Sequence, residues 1–511
     1  MIKKLLYLLL PACALGQAPV VQWNRTLGTS SVDIGMDIAE TNDGGIVVMG
    51  DAWSQTSAVQ NAHGDNEMWL VKLNPDGTTA WNRAFGGALS DHGRKVIPTQ
   101  DGNYIIAGTT YSSNGDVSQS HGMGDYWIAK VSASANTGNV FWQKSFGGTH
   151  NDFLDQVIET PDAGYVLFGH SRSTDGQVGT NHGIEDLWII KIDASANIVW
   201  QHVYGGSGED IIHKAISTSD GGYLALGYTN SNDGDLTQNH GIEDGYALKI
   251  AADGTLQWSK QYGGSLFDVF YSAVEVDGAY ILAGTTASDD GDVNQQHDVH
   301  DGWLLKIGMD GQILESHLYG GEGSDSFESI ELASNGDIVV AGNTLSNTGD
   351  VSGNHGQFDV WLVRFDPNLD IIWQKCIGAS SSDVAYGLCL TSDGGYATIG
   401  YTESNNEYDV QPNHGIYDFY VTKLVPEALA VDHPDPISVE LFPNPVATEL
   451  QLRFRDGMTA DSVTITDMTG KTVLSENPVS NSVDVSSLAS GTYLIAISAG
   501  NKSFTSKFIK K

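Results

Sequence analysis

Short apolar runs, some alternating with polar residues and some continuous, recur along nearly the whole chain, and clusters of Gly, Asp, Asn and Ser separate them. From Trp200 to Gln257 the order is I-V-W-Q-H-V-Y, G-G-S-G-E-D, I-I-H-K-A-I, S-D-G-G, Y-L-A-L-G-Y, a long polar loop, then Y-A-L-K-I closed by A-D-G-T. Runs this short, rich in β-branched and aromatic residues and bounded by turn formers, predict strands, four to a unit.

The unit repeats. Trp23, Trp81, Trp142, Trp200, Trp258 and Trp373 open equivalent lines, Glu315 holds that place in E-S-H-L-Y-G-G, and the spacing is 57 to 61 residues. A fixed period of this size marks a repeat architecture. Seven four-stranded sheets predict an all-β fold, a seven-bladed β-propeller with its sheets packed around a channel; a linear solenoid is the alternative. The phase favours closure. The chain opens with an outer-type strand, V-V-Q-W-N-R-T-L, and the last unit ends after Y-D-F-Y-V-T-K-L without one, so the first strand can complete the last blade and leave no free edge. Of 12 Trp, six open the outer strand and five fall in the third strand at Trp69, Trp127, Trp188, Trp303 and Trp361. The same residue in blade after blade predicts core between blades rather than a sugar platform. Trp53 stands outside the pattern.

Composition narrows the function classes. With 25 Lys+Arg against 63 Asp+Glu the net charge is −38, which excludes coating of nucleic acid or an anionic membrane. Lys3, Lys4, the apolar Leu5 to Leu10 and Ala14-Leu15-Gly16 have the zones of a signal peptide over 1–16, too short to span a bilayer, and no later run is long enough. Leu10-Pro11-Ala12-Cys13 also resembles a lipoprotein box, which would put lipid on Cys13. The other cysteines, Cys376 and Cys389, fall on different blades and predict no disulfide. The expected organisation is a signal peptide at 1–16, a propeller at 17–425, a Pro-punctuated linker at 426–436 and a small β-sandwich at 437–511, the whole a monomer.

Two sets of positions are fixed in every unit. Between the second and third strands lie His63 with Glu67, His121 with Asp125, His182 with Asp186, His240 with Asp244, His297 with Asp301, His355 with Asp359 and His414 with Asp418. Gly follows six of these histidines, and Asp298 follows His297. Five residues before the His stand Asp116, Asp235, Asp292, Asp350 and Asp409. Between the fourth and first strands lie Asp33, Asp91, Asp152, Asp210, Asp268, Asp325 and Asp383. A catalytic group is needed once, whereas every blade must hold its loops, so these predict hydrogen-bonded struts. The arrangement is similar to the structural His–Asp networks of WD-type propellers. The alternative is calcium, because the N-D-G-D and D-D-G-D loops offer hard oxygen ligands.

Antiparallel order sends both loop sets to one rim, and the first strand of each blade lines the channel below it. There the units differ. Three residues after the fixed Asp come Met36, Arg94, Asp155, His213, Tyr271, Glu328 and Tyr386, followed by Asp37, Lys95, Gln156, Lys214, Ser272, Ser329 and Gly387. A ring of constant scaffold and varied chemistry is where a propeller would bind something asymmetric. Arg94, Lys95, Asp155, His213, Lys214, Tyr271, Glu328 and Tyr386 are the candidate ligand-binding residues. Arg94, Lys95, His213 and Lys214 read as a cationic pair of adjacent blades suited to a carboxylated or sulfated ligand. The same ring could instead serve an extracellular polysaccharide hydrolase or lyase, with Asp155 or Glu328 as carboxylate beside His213 or Tyr271. No nucleophile elbow, HExxH or phosphate loop supports chemistry, and the expected role is binding or adhesion to an extracellular glycan or protein.

After V-P-E-A-L-A-V-D-H-P-D-P the repeat disappears, and alternation with close turns predicts about seven short strands. Phe442-Pro443-Asn444-Pro445, Asp467 with Gly470-Lys471, the run Val483-Asp484-Val485-Ser486, Leu488, Gly491, Tyr493 and the basic end Lys507 to Lys511, including Lys510, resemble the C-terminal sorting domain of type IX secretion substrates of Bacteroidetes-type bacteria. That resemblance implies Sec export, passage across the outer membrane, recognition by the type IX machinery, and removal of the domain with surface anchoring or release. The D-G-G-Y and G-D units are more loosely similar to repeat proteins carried by the same route, a likeness that names no activity.

Overall fold

The structure of the protein is a computed structural model describing residues 18–53, 58–133, 139–293, 299–426, 439–454, 460–467, 471–477, 482–499 and 502–511. The signal-peptide segment, Cys13, His297, Asp298, Gly470 and most of the 426–436 linker lie outside the described residues. The chain divides into two compact units, Met1–Ala430 and Val431–Lys511.

The first unit is a ring of seven antiparallel four-stranded sheets. Blade 4 shows the pattern, inner to outer: Asp210–Ser217, Tyr223–Thr229, Asp244–Ile250 and Leu256–Tyr262. Blade 7 takes three strands from one end of the unit, Asp383–Leu390, Tyr396–Thr402 and Asp418–Leu424, and its outer strand, Val21–Leu27, from the other. Trp23 pairs with Lys423 and Leu27 with Phe419, so the ring closes and the solenoid is excluded. Closure removes the two sheet edges that a linear array would expose.

The second and third strands of blade 1, Ile46–Ala52 and Glu67–Leu73, are buried at every position, because neighbouring blades cover both faces. The third-strand tryptophans Trp69, Trp127, Trp188, Trp303 and Trp361 are buried, as expected for core. Each indole N–H donates to a side chain on the outer strand, Asn82, Gln143, Gln201, Ser316 or Gln374, at 2.9–3.3 Å, which meets the requirement that a buried indole find an acceptor. The outer-strand set departs from the expectation. Trp23 and Trp373 are buried, but Trp81, Trp142, Trp200 and Trp258 are only half-buried. They lie against the turn that ends the next blade's third strand: Trp23 Nε1 donates to Pro75 O and Trp258 Nε1 to Met309 O, both at 3.0 Å. A Cβ on Gly77 would meet the Trp23 ring at 2.6 Å. Trp53 is 49% exposed.

Among the described residues the second unit is a seven-stranded sandwich. One sheet is Val439–Phe442, Glu449–Phe454 and Ser482–Asp484; the other is Thr472–Glu476, Ser462–Asp467, Gly491–Ala499 and Lys502–Lys510. Val446, Leu450, Val463, Ile465, Val483, Ile495, Ile497 and Phe508 fill the space between them, and Leu488 packs against that core. The sequence motifs tie down its turns. Asn444 Oδ1 accepts Ile509 N–H at 2.9 Å, Lys511 N–H donates to Val446 O at 2.8 Å, and Tyr493 OH donates to Ala489 O at 2.9 Å. Asp484 Oδ1 accepts Ser486 N–H at 2.8 Å, Asp467 N–H donates to Lys471 O at 3.0 Å, and Lys471 N–H donates to Asp467 Oδ1 at 3.2 Å.

Candidate functional site

The varied ring points into the channel for a backbone reason. In each inner strand the ladder to the second strand skips one residue, and the skipped residues are Met36, Arg94, Asp155, His213, Tyr271, Glu328 and Tyr386. A β-bulge leaves its extra residue unpaired and re-aims the side chain. Opposite every bulge the second strand carries Gly: Gly50, Gly108, Gly169, Gly227, Gly284, Gly342 and Gly400. A Cβ there would stand 1.8–2.0 Å from an inner-strand carbonyl oxygen. The bulge and the glycine are one device.

All eight candidate residues, Arg94, Lys95, Asp155, His213, Lys214, Tyr271, Glu328 and Tyr386, line a single cavity of about 700 Å³ together with Asp37 and Glu331. Its electrostatics differ from the expected cationic pair. Arg94–Lys95 and His213–Lys214 are on blades 2 and 4, with Asp155 of blade 3 between them. Lys95 Nζ is 2.9 Å from Asp37 Oδ1, and Arg94 Nη1 is 3.5 Å from Asp51 Oδ2. The Lys214 ammonium has no hydrogen bond or ion pair among the described residues. Burial, then repulsion from Lys95, lowers the proton affinity of its ammonium. Burial pushes Glu328 up to about 7, against hydrogen bonds from Ser326 Oγ (2.7 Å) and Asn343 Nδ2 (3.3 Å). Burial holds His213 down to about 4, with its ring 5.0 Å from that of Tyr271.

A second cavity, of about 350 Å³, shares Arg94 and Asp155 with the channel cavity. His170 Nδ1 is 3.1 Å from Asp155 Oδ2 and its Nε2 3.4 Å from Glu185 Oε1. Arg172 Nε donates to Glu185 at 2.7 Å, and its Nη2 is 4.0 Å from Glu209. Tyr111, Phe153 and Tyr228 complete the walls. His170 and Arg172 were not singled out in the sequence. A signal was present, because the residue after the fixed second-strand Gly varies as the ring does: Asp51, Thr109, His170, Tyr228, Thr285, Asn343 and Tyr401.

The fixed acids hold loops. Asp210 accepts Gly206 N–H (2.8 Å), Ser231 Oγ–H (3.0 Å) and the Thr229 hydroxyl. The same three partners recur at Asp152 (Gly148, Ser173, Ser171) and Asp268 (Gly264, Ser288, Thr286). The Thr/Ser-x-Ser partners recur at constant spacing, the first closing the second strand and the Ser two residues beyond it, a regularity present in the sequence. In the other set the main chain bonds first: the backbone N–H of His121, His240, His355 and His414 donates to Asp125, Asp244, Asp359 and Asp418 at 2.6–3.0 Å. In the N-D-G-D loop Asp233 Oδ1 accepts Ser207 N–H at 2.6 Å and Asp235 Oδ2 accepts Gly205 N–H at 3.2 Å, so these carboxylates fasten one blade's loop to the next. Among the described residues no group of three or more His, Cys, Asp or Glu is placed to hold a metal ion.

Residues 440–511 match the family model described as a secretion system C-terminal sorting domain. The chain therefore carries a type IX sorting domain and is exported from the cell. No helix among the described residues is long and apolar enough to cross a membrane. No curated protein matches the chain. Similar solved structures include the Pan2 WD40 domain of Neurospora crassa (8% identity, TM-score 0.43, covering 79% of this chain and 94% of that one). A puromycin hydrolase has 11% identity and a TM-score of 0.47, over 84% of this chain and 60% of that one. The β-propeller domain of the Trilobed protease of Pyrococcus furiosus has 11% identity and a TM-score of 0.38, over 81% and 99%.

Proposed function

With export as the premise, we propose that the propeller is an extracellular binding or adhesion module that takes a glycan at the channel mouth of blades 2 to 4. The arrangement around Arg94 and Asp155 carries this reading: three aromatic rings, Tyr111, Phe153 and Tyr228, stand beside Arg172, Glu209 and His170 in one cavity open to the channel. Aromatic faces with a few fixed polar groups are what a sugar ring requires, apolar contact on one side and directed hydrogen bonds at its rim. In this reading the functional propeller is residues 17–425, joined by the 426–436 linker to the sorting domain at 437–511, and the mature protein works as a monomer, released or anchored at the outer-membrane surface. The test exposes the mature protein to soluble and insoluble polysaccharides, assaying retention and product release together. Retention lost in Arg172→Ala and Tyr228→Ala, with the melting temperature kept, supports the reading; no retention on any glycan turns attention to a protein partner.

A second reading, a polysaccharide hydrolase or lyase, draws on Glu328, a carboxyl poised near neutrality in the channel wall. Product release abolished by Glu328→Gln would favour it.

A further inference from the structure

At several seams between blades, the acid that opens a third strand approaches the fixed acid of the next blade's inner strand. Asp125 and Asp152 meet at Gly147, Asp186 and Asp210 at Gly205, Asp359 and Asp383 at Gly378, and Asp418 and Asp33 at Gly28. A Cβ on Gly205 would lie 2.1 Å from Asp186 Oδ1 and 2.6 Å from Asp210 Oδ2; on Gly147 it would lie 2.1 Å from Asp125 Oδ1 and 2.7 Å from Asp152 Oδ2. All these acids are fully buried. We infer that each of these seams is closed by one shared proton, held on Oδ1 of the third-strand acid and donated to Oδ2 of the inner-strand acid.

Hydrogen-bond capacity assigns the proton. Asp210 and Asp152 each already accept three donors, which favours their ionised form. Their partners use only Oδ2, toward the main chain of His182 and His121. Oδ1 of Asp125, Asp186, Asp359 and Asp418 is buried without a hydrogen-bond partner. Two adjacent buried carboxylates cannot both stay charged. A proton on Oδ1 turns the orphan acceptor into a donor aimed at the facing acid, and both oxygens are then satisfied. Calcium fits less well, because it takes six to eight oxygens and the surrounding groups are N–H and O–H donors.

Other titratable groups face the seam of blades 3 and 4. His182 Nδ1 lies 3.7 Å from Asp186 Oδ2, and its side chain is 45% exposed. Asp235 Oδ2 accepts Gly205 N–H at 3.2 Å, and Tyr246 lies in the field of Asp210. Burial first, then the charge of Asp210, raises the proton affinity of Asp186. A carboxyl raised in the folded state contributes stability that is full below the ordinary carboxylate range and is lost as pH rises through the folded value. The ring is therefore tightest in mild acid and loosens in alkali.

The test melts the full mature chain between about pH 5 and about pH 8.5. Asp186→Asn replaces the protonated oxygen with an amide donor. It is expected to match the parent at the acid end and to melt several degrees higher at the alkaline end. Equal loss at both ends, or a parent melting temperature at about pH 8.5 that calcium raises and EDTA lowers, overturns the proposal. Should the variant not fold, the infrared carbonyl band of protonated carboxyl groups at neutral pH, read in the Glu328→Gln background so that Glu328 does not contribute, decides: its presence supports the shared protons and its absence refutes them.

Discussion

The carbonyl oxygen of Ile211 stands 1.9 Å from the point a Cβ on Gly227 would occupy. Because of that approach His213 can leave the ladder and face the channel. Gly227→Ala is expected to cost about 1–3 kcal/mol or more, since the neighbour is backbone and cannot step aside. Gly221→Ala, with φ +82° and nothing within 4 Å, should cost only the left-handed strain of about 1–2 kcal/mol. Urea denaturation of both variants checks the order; equal losses would mean that the bulge does not depend on the glycine.

Asp152→Ala removes the acceptor of Gly148 N–H, Ser171 and Ser173, all inside the protein. The expected loss is about 3–5 kcal/mol, the scale seen when one partner of a buried charged network is removed. Asp175→Ala, in the exposed loop that meets Thr149, is expected to cost about 1 kcal/mol or less. Thermal melts separate the two.

Lys214 is a cation without a counter-charge in bonding range, in a cavity whose walls disfavour its charge. Lys214→Met is expected to stabilise the propeller by about 1 kcal/mol and to weaken any bound carboxylated or sulfated ligand by about tenfold. A fall in stability would show that the ammonium has a partner in solution.

Glu328 is raised from 4.5 to about 7 by burial. Its protonated form therefore adds stability that is complete below about pH 4 and disappears as pH rises through about 7. Glu328→Gln should flatten that part of the profile of melting temperature against pH; an unchanged slope would mean the carboxyl is hydrated and unshifted.

In the sorting domain, Lys511 N–H donates to Val446 O and Ile509 N–H to Asn444 Oδ1. Deleting Lys510 and Lys511 is expected to free the Asn444–Val446 turn and reduce the amount of protein outside the cell. Immunoblots of medium and cell fractions measure this, and undiminished export would show that the terminal pair is dispensable.

The sequence by itself determined the strands, their number per blade, the count of seven, the closure by Val21–Leu27, the rim that holds the fixed acids and the ring of varied residues. Each is written locally, in period-two alternation, turn residues and the phase of a repeat, and repetition shows the same rule seven times. Only the tertiary structure decided which side chains meet. That Lys95 is paired with Asp37 of the preceding blade, and that Asp186 faces Asp210 of the next, both depend on neighbours from separate units. Ring closure brings these residues together, and a pattern read along one unit carries no record of what the next unit sets against it.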